Sequence, residues 1–424
     1  LTPFEGRETD MADYDLIIVG GGIGGPALAT VMARAGKSVL LLEQSTVYED
    51  RVRGEWISPW GVAETKRLGL YDTLVEAGGH HLTRHIAYRP GIDPGEAEKL
   101  AMDMGMFVKD VPGPLCIGHP HHCQTLFDAA GKAGADARRG VTVSEVTLGA
   151  APSVRFSDAL GEHHATARLV VGADGRMSMV RKAAGIVLHR DEPHHWFAGM
   201  LVEGADEWDE LAQATGTEGD FHFLAFPQGD GRVRIYGGYP IEEAKRFAGP
   251  EGARRFLDAF AFQSSPRNRA IVEAQPAGPL LSYHNSDAWT DEPFGEGFVL
   301  VGDAGGWNDP ILGLGLSITY RDVRMVSDIL LASDDWSAQA LRPYGEERYE
   351  RLRRLRFAAS VFSRIEVEFG DEAEARRADF DRRAAENPAL RMYGLATLGG
   401  PELVPEDYFT EESYARILGL KQAA

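Results

Sequence analysis

Apolar positions along this chain follow two rhythms, and each change of rhythm marks a new element. Tyr14-Asp15-Leu16-Ile17-Ile18-Val19 is a short, almost continuous apolar run, the pattern of a strand buried on both faces of a parallel sheet. After a glycine-rich turn, Ala27, Leu28, Val31, Met32 and Ala35 recur at helical spacing, and Gly36 supplies the stop. Ser38-Val39-Leu40-Leu41-Leu42 predicts a second strand ending at Glu43. A buried strand running into a turn returns at Leu169-Val170-Val171 and at Phe298-Val299-Leu300-Val301. The last of these leads into an amphipathic helix carrying Ile318, Val323, Val326 and Ile329–Leu331.

Residues 190–290 change to period two. Phe221–Phe226 and Val233–Tyr239, joined by Pro227-Gln228-Gly229-Asp230-Gly231-Arg232, predict an antiparallel hairpin. Phe221, Phe223 and Ala225 then share one face and His222, Leu224 and Phe226 the other, while Tyr236 lies with Arg234 and Gly238. From 337 onward the pattern is charged helix. Arg348, Arg351, Arg353, Arg354 and Arg356 alternate with Glu346, Glu347 and Glu350, which predicts a salt-bridged, solvated face. Pro388 and Pro401 to Pro405 mark breaks near the end.

The buried strands share a chemistry at their ends. Gly20-Gly21-Gly22-Ile23-Gly24-Gly25 stands between a strand and a helix, the context that makes a glycine run a dinucleotide fingerprint. Gly20 suits the tight turn, Gly22 the approach of backbone to a pyrophosphate, and Gly25 the close packing of helix on strand. The helix start, with Ile23 and Gly24, offers unpaired N–H groups to phosphate. Glu43, closing the second strand, suits both hydroxyls of a ribose and would repel a 2′-phosphate, which disfavours NADP at this position. Gly172-Ala173-Asp174-Gly175 and Gly302-Asp303-Ala304 bring two aspartates to the carboxyl edge of the same sheet. Pro310 and Gly313-Leu314-Gly315 then open a helix whose positive end can face a flavin ring. A chain that leaves a nucleotide site twice and returns each time grips a long cofactor, and FAD fits that pattern.

Bulk properties narrow the partners. The 424 residues hold enough apolar content for two or three domains. A formal net charge of −20 speaks against nucleic acid or an anionic membrane. Cys116 and Cys123 are too few for a disulfide framework, and no run approaches the roughly 20 apolar residues of a membrane span. Residues 1–10 read as a non-native extension ahead of Met11, without a signal peptide, and a cytoplasmic protein is expected. His119, His121 and His122 cluster, but no Cys/His pair recurs at ligand spacing, so no metal site is expected.

With all three motifs in this order, residues 11 to about 350 resemble the single-component, FAD-dependent flavoprotein monooxygenases of the para-hydroxybenzoate hydroxylase type. The resemblance implies an α/β fold with a Rossmann-like FAD-binding domain of the glutathione reductase type, an inserted antiparallel β-sheet substrate domain and a helical C-terminus. It places Asp303 on the ribityl chain, Asp174-Gly175 near the pyrophosphate and linked to NAD(P)H use, and Arg53 near flavin and pyrophosphate. His119 stands where the family usually has arginine or glutamine, and Gly306 where it often has histidine. The chemistry implied is hydroxylation or epoxidation of an aromatic or polyketide-like small molecule through a C4a-hydroperoxyflavin, with NAD(P)H as a transient reductant. Because that chemistry belongs to the cofactor, no catalytic side chain is named.

Gly306-Trp307-Asn308-Asp309-Pro310 and Gly54-Glu55-Trp56-Ile57-Ser58-Pro59 are similar to segments of flavin halogenases, and the first also to prenyl reductases. The lysine of halogenases has no counterpart in Gly78-Gly79-His80-His81-Leu82, which makes halogenase or prenyl-type reductase the alternative. A non-catalytic flavin-binding accessory protein is the alternative of another class. The expected organisation is a discontinuous FAD-binding domain (residues 11–85, 110–185 and 285–335), a substrate domain (86–109 and 186–284) and a helical region (336–424), in a monomer or homodimer. Phe223, Tyr236 and Tyr239 are the pocket candidates. His222 and His284 could position a substrate hydroxyl.

Overall fold

The computed structural model describes residues 12–420; the expected extension at residues 1–10 lies outside the described residues. Strand β1 (Tyr14–Val19) runs into helix α1 (Gly24–Arg34) and strand β2 (Val39–Glu43). Helix α2 (Pro59–Arg67), strand β3 (Arg84–Tyr88), helix α3 (His119–Lys132), and strands β4 (Asp136–Arg139) and β5 (Gly161–Gly172) follow. Next come β6 (His195–Glu203), β7 (Ala212–Glu218), β8 (Phe221–Gly229), β9 (Arg232–Pro240) and β10 (Leu281–Asn285). Strand β11 (Phe298–Leu300) leads to helices α4 (Gly315–Ala332), α5 (Ala338–Glu366) and α6 (Met392–Leu398).

The near-continuous apolar runs become neighbours in one sheet. Its parallel strands lie in the order β11-β5-β1-β2-β4. The register sets Leu42 beside Val19, Val19 beside Gly172 and Gly172 beside Leu300. Glu43, Gly20, Ala173 and Val301 therefore leave the sheet side by side at its carboxyl edge. Leu16 and Ile18 pack with α1, α3 and α4 on one face; Ile17 and Val19 pack with Leu40, Val154 and Phe156 on the other.

Two glycines allow this edge to form. A Cβ on Gly20, whose φ is +108°, would lie 2.3 Å from the carbonyl oxygen of Ala173. One on Gly25 would lie 1.9 Å from the carbonyl oxygen of Gly20. The first motif thus docks on the second, and α1 starts directly over the turn.

The period-two region forms a second sheet in the order β3-β7-β8-β9-β6-β10. Pairing is antiparallel except between β3 and β7. Leu224 pairs with Tyr236, and Tyr236 with Gly199, so these positions share one face. The other face carries Phe221, Phe223, Ile235 and Tyr239 into a separate core with Phe256 and Phe260.

The C-terminal charge pattern is salt-bridged, with Arg353 and Arg354 on Glu350, but part of it is buried rather than solvated. Arg348 is 1% exposed and Arg351 3% exposed. Helical periodicity explains the difference: Arg348, Arg351, Leu352 and Leu355 lie on one stripe of α5, and that stripe faces inward. Arg348 donates to the carbonyls of Gly302 (3.0 Å), Gly305 (2.9 Å) and Gly306 (3.1 Å), and pairs with buried Asp322 at 3.0 Å. Asp322 also accepts from the Gly302 N–H at 2.9 Å.

Candidate active site

A cavity of about 630 Å³ lies between the carboxyl edge of the parallel sheet and one face of the second sheet. At the sheet edge it is lined by Gly22, Ile23 and Gly24 from the first turn, Asp174 from the second, and Asp303, Pro310, Gly313 and Gly315 from the third. Arg53 and His119 complete that end. The register described above is the reason residues so far apart in sequence meet here.

A Cβ built on Gly22 or Gly315 meets no atom within 4 Å, so both backbones border open room. Gly24, also in the lining, serves packing as well, since a Cβ there would touch Thr319 of α4 at 2.9 Å. Asp174 accepts from the Met179 N–H at 2.6 Å through Oδ2, while its Oδ1 is buried without a partner. Burial raises the Asp174 pKa. Asp303 meets Arg176 at 3.2 Å, and the Arg176 guanidinium lies over the Trp307 ring at 4.8 Å. Desolvation, and then repulsion from Arg176, lowers the Arg53 pKa. These features fit FAD: open glycine backbone and guanidinium groups for a diphosphate, and two carboxylates for hydroxyl groups.

Other expected site residues stand beside the room rather than in its lining. Glu43 accepts from the N–H groups of Gly21 (2.6 Å) and Ser45 (2.7 Å). Gly20 and Gly25 shape the turn, and Leu314 is buried in the core with Trp60 and Ile318. His119 lies 3.4 Å from the Gly54 carbonyl, and burial brings its pKa down to about 4, so it is neutral. The three clustered histidines face three different partners: His121 meets the Ala77 carbonyl at 2.8 Å and His122 the Tyr320 hydroxyl at 2.5 Å. Among the described residues no group of three or more His, Cys, Asp or Glu side chains could hold a metal ion.

Gly306 has a structural reason. Its φ is +111°, and a Cβ would lie 2.4 Å from the Ala288 carbonyl oxygen, so no side chain fits there. Trp307 reaches the cavity in its stead.

At the far end, Phe197, Leu224, Phe226, Tyr236 and Tyr283 line the cavity. Phe223 and Tyr239 do not. Phe223 pairs with Gly237, one position from Tyr236, and packs in the opposite core with Tyr88 and Phe262; Tyr239 packs there with Phe247. His222 meets Thr217 at 2.7 Å, His284 lies tilted against Trp196, and neither lines the cavity. The last wall comes from Phe362 and Glu366 of α5 and Tyr393 and Thr397 of α6. The sequence leaves open whether the C-terminal region covers the pocket or makes a dimer contact, and period and motif single out none of these wall residues. Sequence reading missed Arg176, which directly follows Asp174-Gly175 and was within reach.

A carboxyl-edge nucleotide cradle that opens onto one face of a second sheet suits a flavin enzyme, and this chain is an oxidoreductase of the flavoprotein monooxygenase class. It belongs to the FAD binding domain family, whose sequence pattern matches residues 13–359. It is similar to squalene epoxidase 3 of Arabidopsis thaliana, 25% identical over 382 residues that cover 87% of this chain and 71% of that protein. Squalene epoxidase 2 of the same plant is 25% identical over 87% of this chain, which spans 63% of that relative's length. Among solved structures, p-nitrophenol 4-monooxygenase PnpA from Pseudomonas putida DLL-E4 superposes with a TM-score of 0.75 at 19% identity, covering 91% of this chain and 98% of that one. Aklavinone-11 hydroxylase, solved with FAD and aklavinone, gives 0.68 at 18% identity, covering 84% and 70%. At these identities the two structures share the fold with this chain. No described helix is long and apolar enough to cross a membrane.

Proposed function

We propose that the enzyme uses FAD and NAD(P)H to place one oxygen atom of dioxygen on an apolar, aromatic or polyketide-like small molecule, by hydroxylation or epoxidation. One observation carries this reading: a single cavity runs without interruption from the glycine–aspartate edge to the aromatic face of the second sheet. FAD supplies the electron transfer and oxygen activation when bound.

The chain's own residues supply position and environment. Gly22, Gly24 and the start of α1 would hold the pyrophosphate, with Arg53 beside it. Asp303 would take ribityl hydroxyls and Glu43 the ribose. Pro310, Gly313 and Gly315 would border the ring, where the N-terminus of the 18-residue helix α4 offers positive partial charge. Phe197, Leu224, Phe226 and Tyr236 would receive the substrate and exclude water. The similarity to squalene epoxidases, and in fold to p-nitrophenol 4-monooxygenase and aklavinone-11 hydroxylase, supports a largely apolar organic substrate.

Anaerobic addition of NADH or NADPH to the FAD-loaded protein should bleach its visible flavin band. Incubation with isotopically labelled dioxygen and a panel of aromatic, polycyclic and isoprenoid compounds should then give a product carrying one labelled oxygen. A flavin that neither nicotinamide reduces, with or without those compounds, would point to a separate reductase and overturn the single-component reading.

A further inference from the structure

The cavity face of the second sheet is not uniformly apolar. Toward its β3–β7 side the inward positions are His85, Gln213 and Thr215. His85 and Gln213 are register partners across the parallel pair, so their side chains stand together on one face. Above them the indole of Trp56 donates to Gln213 Oε1 at 2.8 Å, and Gln213 Nε2 lies 3.1 Å from His85 Nδ1.

This chain of contacts has one consistent arrangement of protons. An indole N–H can only donate, so the atom of Gln213 that receives it is the oxygen. The other end of the amide is then NH2, which can only donate, and His85 Nδ1 must accept. A neutral imidazole with a bare Nδ1 carries its proton on Nε2. Burial, followed by repulsion from Arg89 on the same face, holds the His85 pKa down to about 4, which keeps the ring neutral. Among the described residues no protein group accepts from Nε2, although His85 lines the cavity.

We infer that His85 presents a fixed Nε2–H donor to the substrate cavity, and that Trp56 and Gln213 lock its tautomer so that it reads an acceptor oxygen on the substrate. The ligand class is an apolar ring system bearing a carbonyl, ether or phenol oxygen at the end that meets β3 and β7, with the apolar body against Phe197, Leu224 and Phe226. The inference rests on the oxygenase reading for the identity of the occupant. The tautomer itself follows from the contacts alone. A donor that cannot also accept favours molecules with an oxygen at that point over hydrocarbons of the same shape, because a donor that an apolar group covers loses its water without gaining a partner.

The test uses the full-length, FAD-loaded protein. Nitrogen-15 histidine labelling, with His85→Phe to assign the resonance, reads the tautomer without any ligand. The wild type should show a protonated Nε2 and a bare Nδ1, and Gln213→Leu should mix the two tautomers. Equilibrium dialysis with 9-fluorenone and fluorene, rigid rings of closely similar shape that differ by a carbonyl, then reads recognition. Wild type should prefer fluorenone over fluorene by about fivefold more than His85→Phe does, the scale of one neutral hydrogen bond. A wild-type ring protonated on Nδ1, or the same fluorenone-to-fluorene ratio in His85→Phe as in wild type, overturns the inference. Flavin content and bleaching by NAD(P)H are measured on the same samples. Their failure in wild type counts against the oxygenase reading, while the tautomer and the fluorenone ratio still decide the role of His85.

Discussion

Single side chains hold this cavity in shape from behind. Arg348 joins three carbonyls of the loop that carries Asp303, yet it reaches that loop from a helix far along the chain. Arg348→Ala would leave Asp322, which is 0% exposed, with one buried partner fewer, a loss of about 3–5 kcal/mol. Thermal unfolding and retained FAD should both fall sharply, whereas Arg353→Ala, which breaks a partly exposed pair with Glu350, should cost under about 1 kcal/mol. Asp309 gives a second prediction. Burial, and then repulsion from Asp287, raises its pKa from 3.8 to about 8, and Asp287 itself is raised to about 6. A carboxyl with a raised folded-state pKa contributes stability that is complete below its unfolded value and disappears as pH rises through the folded one. The melting temperature should therefore decline from about pH 4 to pH 9, and Asp309→Asn, which keeps an acceptor for the Ile311 N–H, should flatten the upper part of that decline. Glu366 acts in the opposite direction: burial pushes its pKa up, but the charge and hydrogen bonds of Arg89 outweigh this and hold it at about 2, so its contribution is present above about pH 4.5 and vanishes as pH falls through about 2.

At the scale of elements, contacts between helices decide where the start of α4 lies. Gly61 on α2 allows this, because a Cβ there would stand 2.2 Å from Ser317 Oγ and 2.6 Å from Ser317 Cβ. Ser58, which caps α2, joins the same serine at 2.8 Å. Gly61→Ala should destabilise the protein by about 1–3 kcal/mol through overpacking, and adding Ser317→Gly should restore part of the loss in a double-mutant cycle of unfolding midpoints. This contact also shows where sequence reading stops. Four strands of the parallel sheet and their glycine–aspartate ends were legible, since burial on both faces leaves an apolar run and a tight turn demands glycine; the polar edge strand β4 was not. The two faces of the β8–β9 hairpin were legible as well, from period two. Which of those faces meets the cavity was not, because Phe223 and Tyr236 suit either side and only the cross-strand register separates them. Gly61 and Arg348 were hidden for a related reason: each answers to residues on a different element, Ser317 for Gly61 and the Gly302–Gly306 loop for Arg348, and neither interrupts the local pattern.

Over the whole molecule, the cavity is a joint between parts that are remote in sequence. A ligand that touches all three strand ends binds only when the sheet is complete, so FAD should stabilise the fold by mass action. At a hundredfold excess over its dissociation constant the gain is about 2.7 kcal/mol, to be read as a rise in melting temperature on titrating FAD into the stripped protein. The wall formed by α6 has a different consequence, one of timing. A ribosome making this chain delivers β1 well before β11, and β11 before Tyr393 and Thr397 of α6. During synthesis the nucleotide cradle is thus assembled while its roof is still missing. A growing chain can meet its flavin through an open side, and the wall that later shields the compartment is translated after all three strand ends.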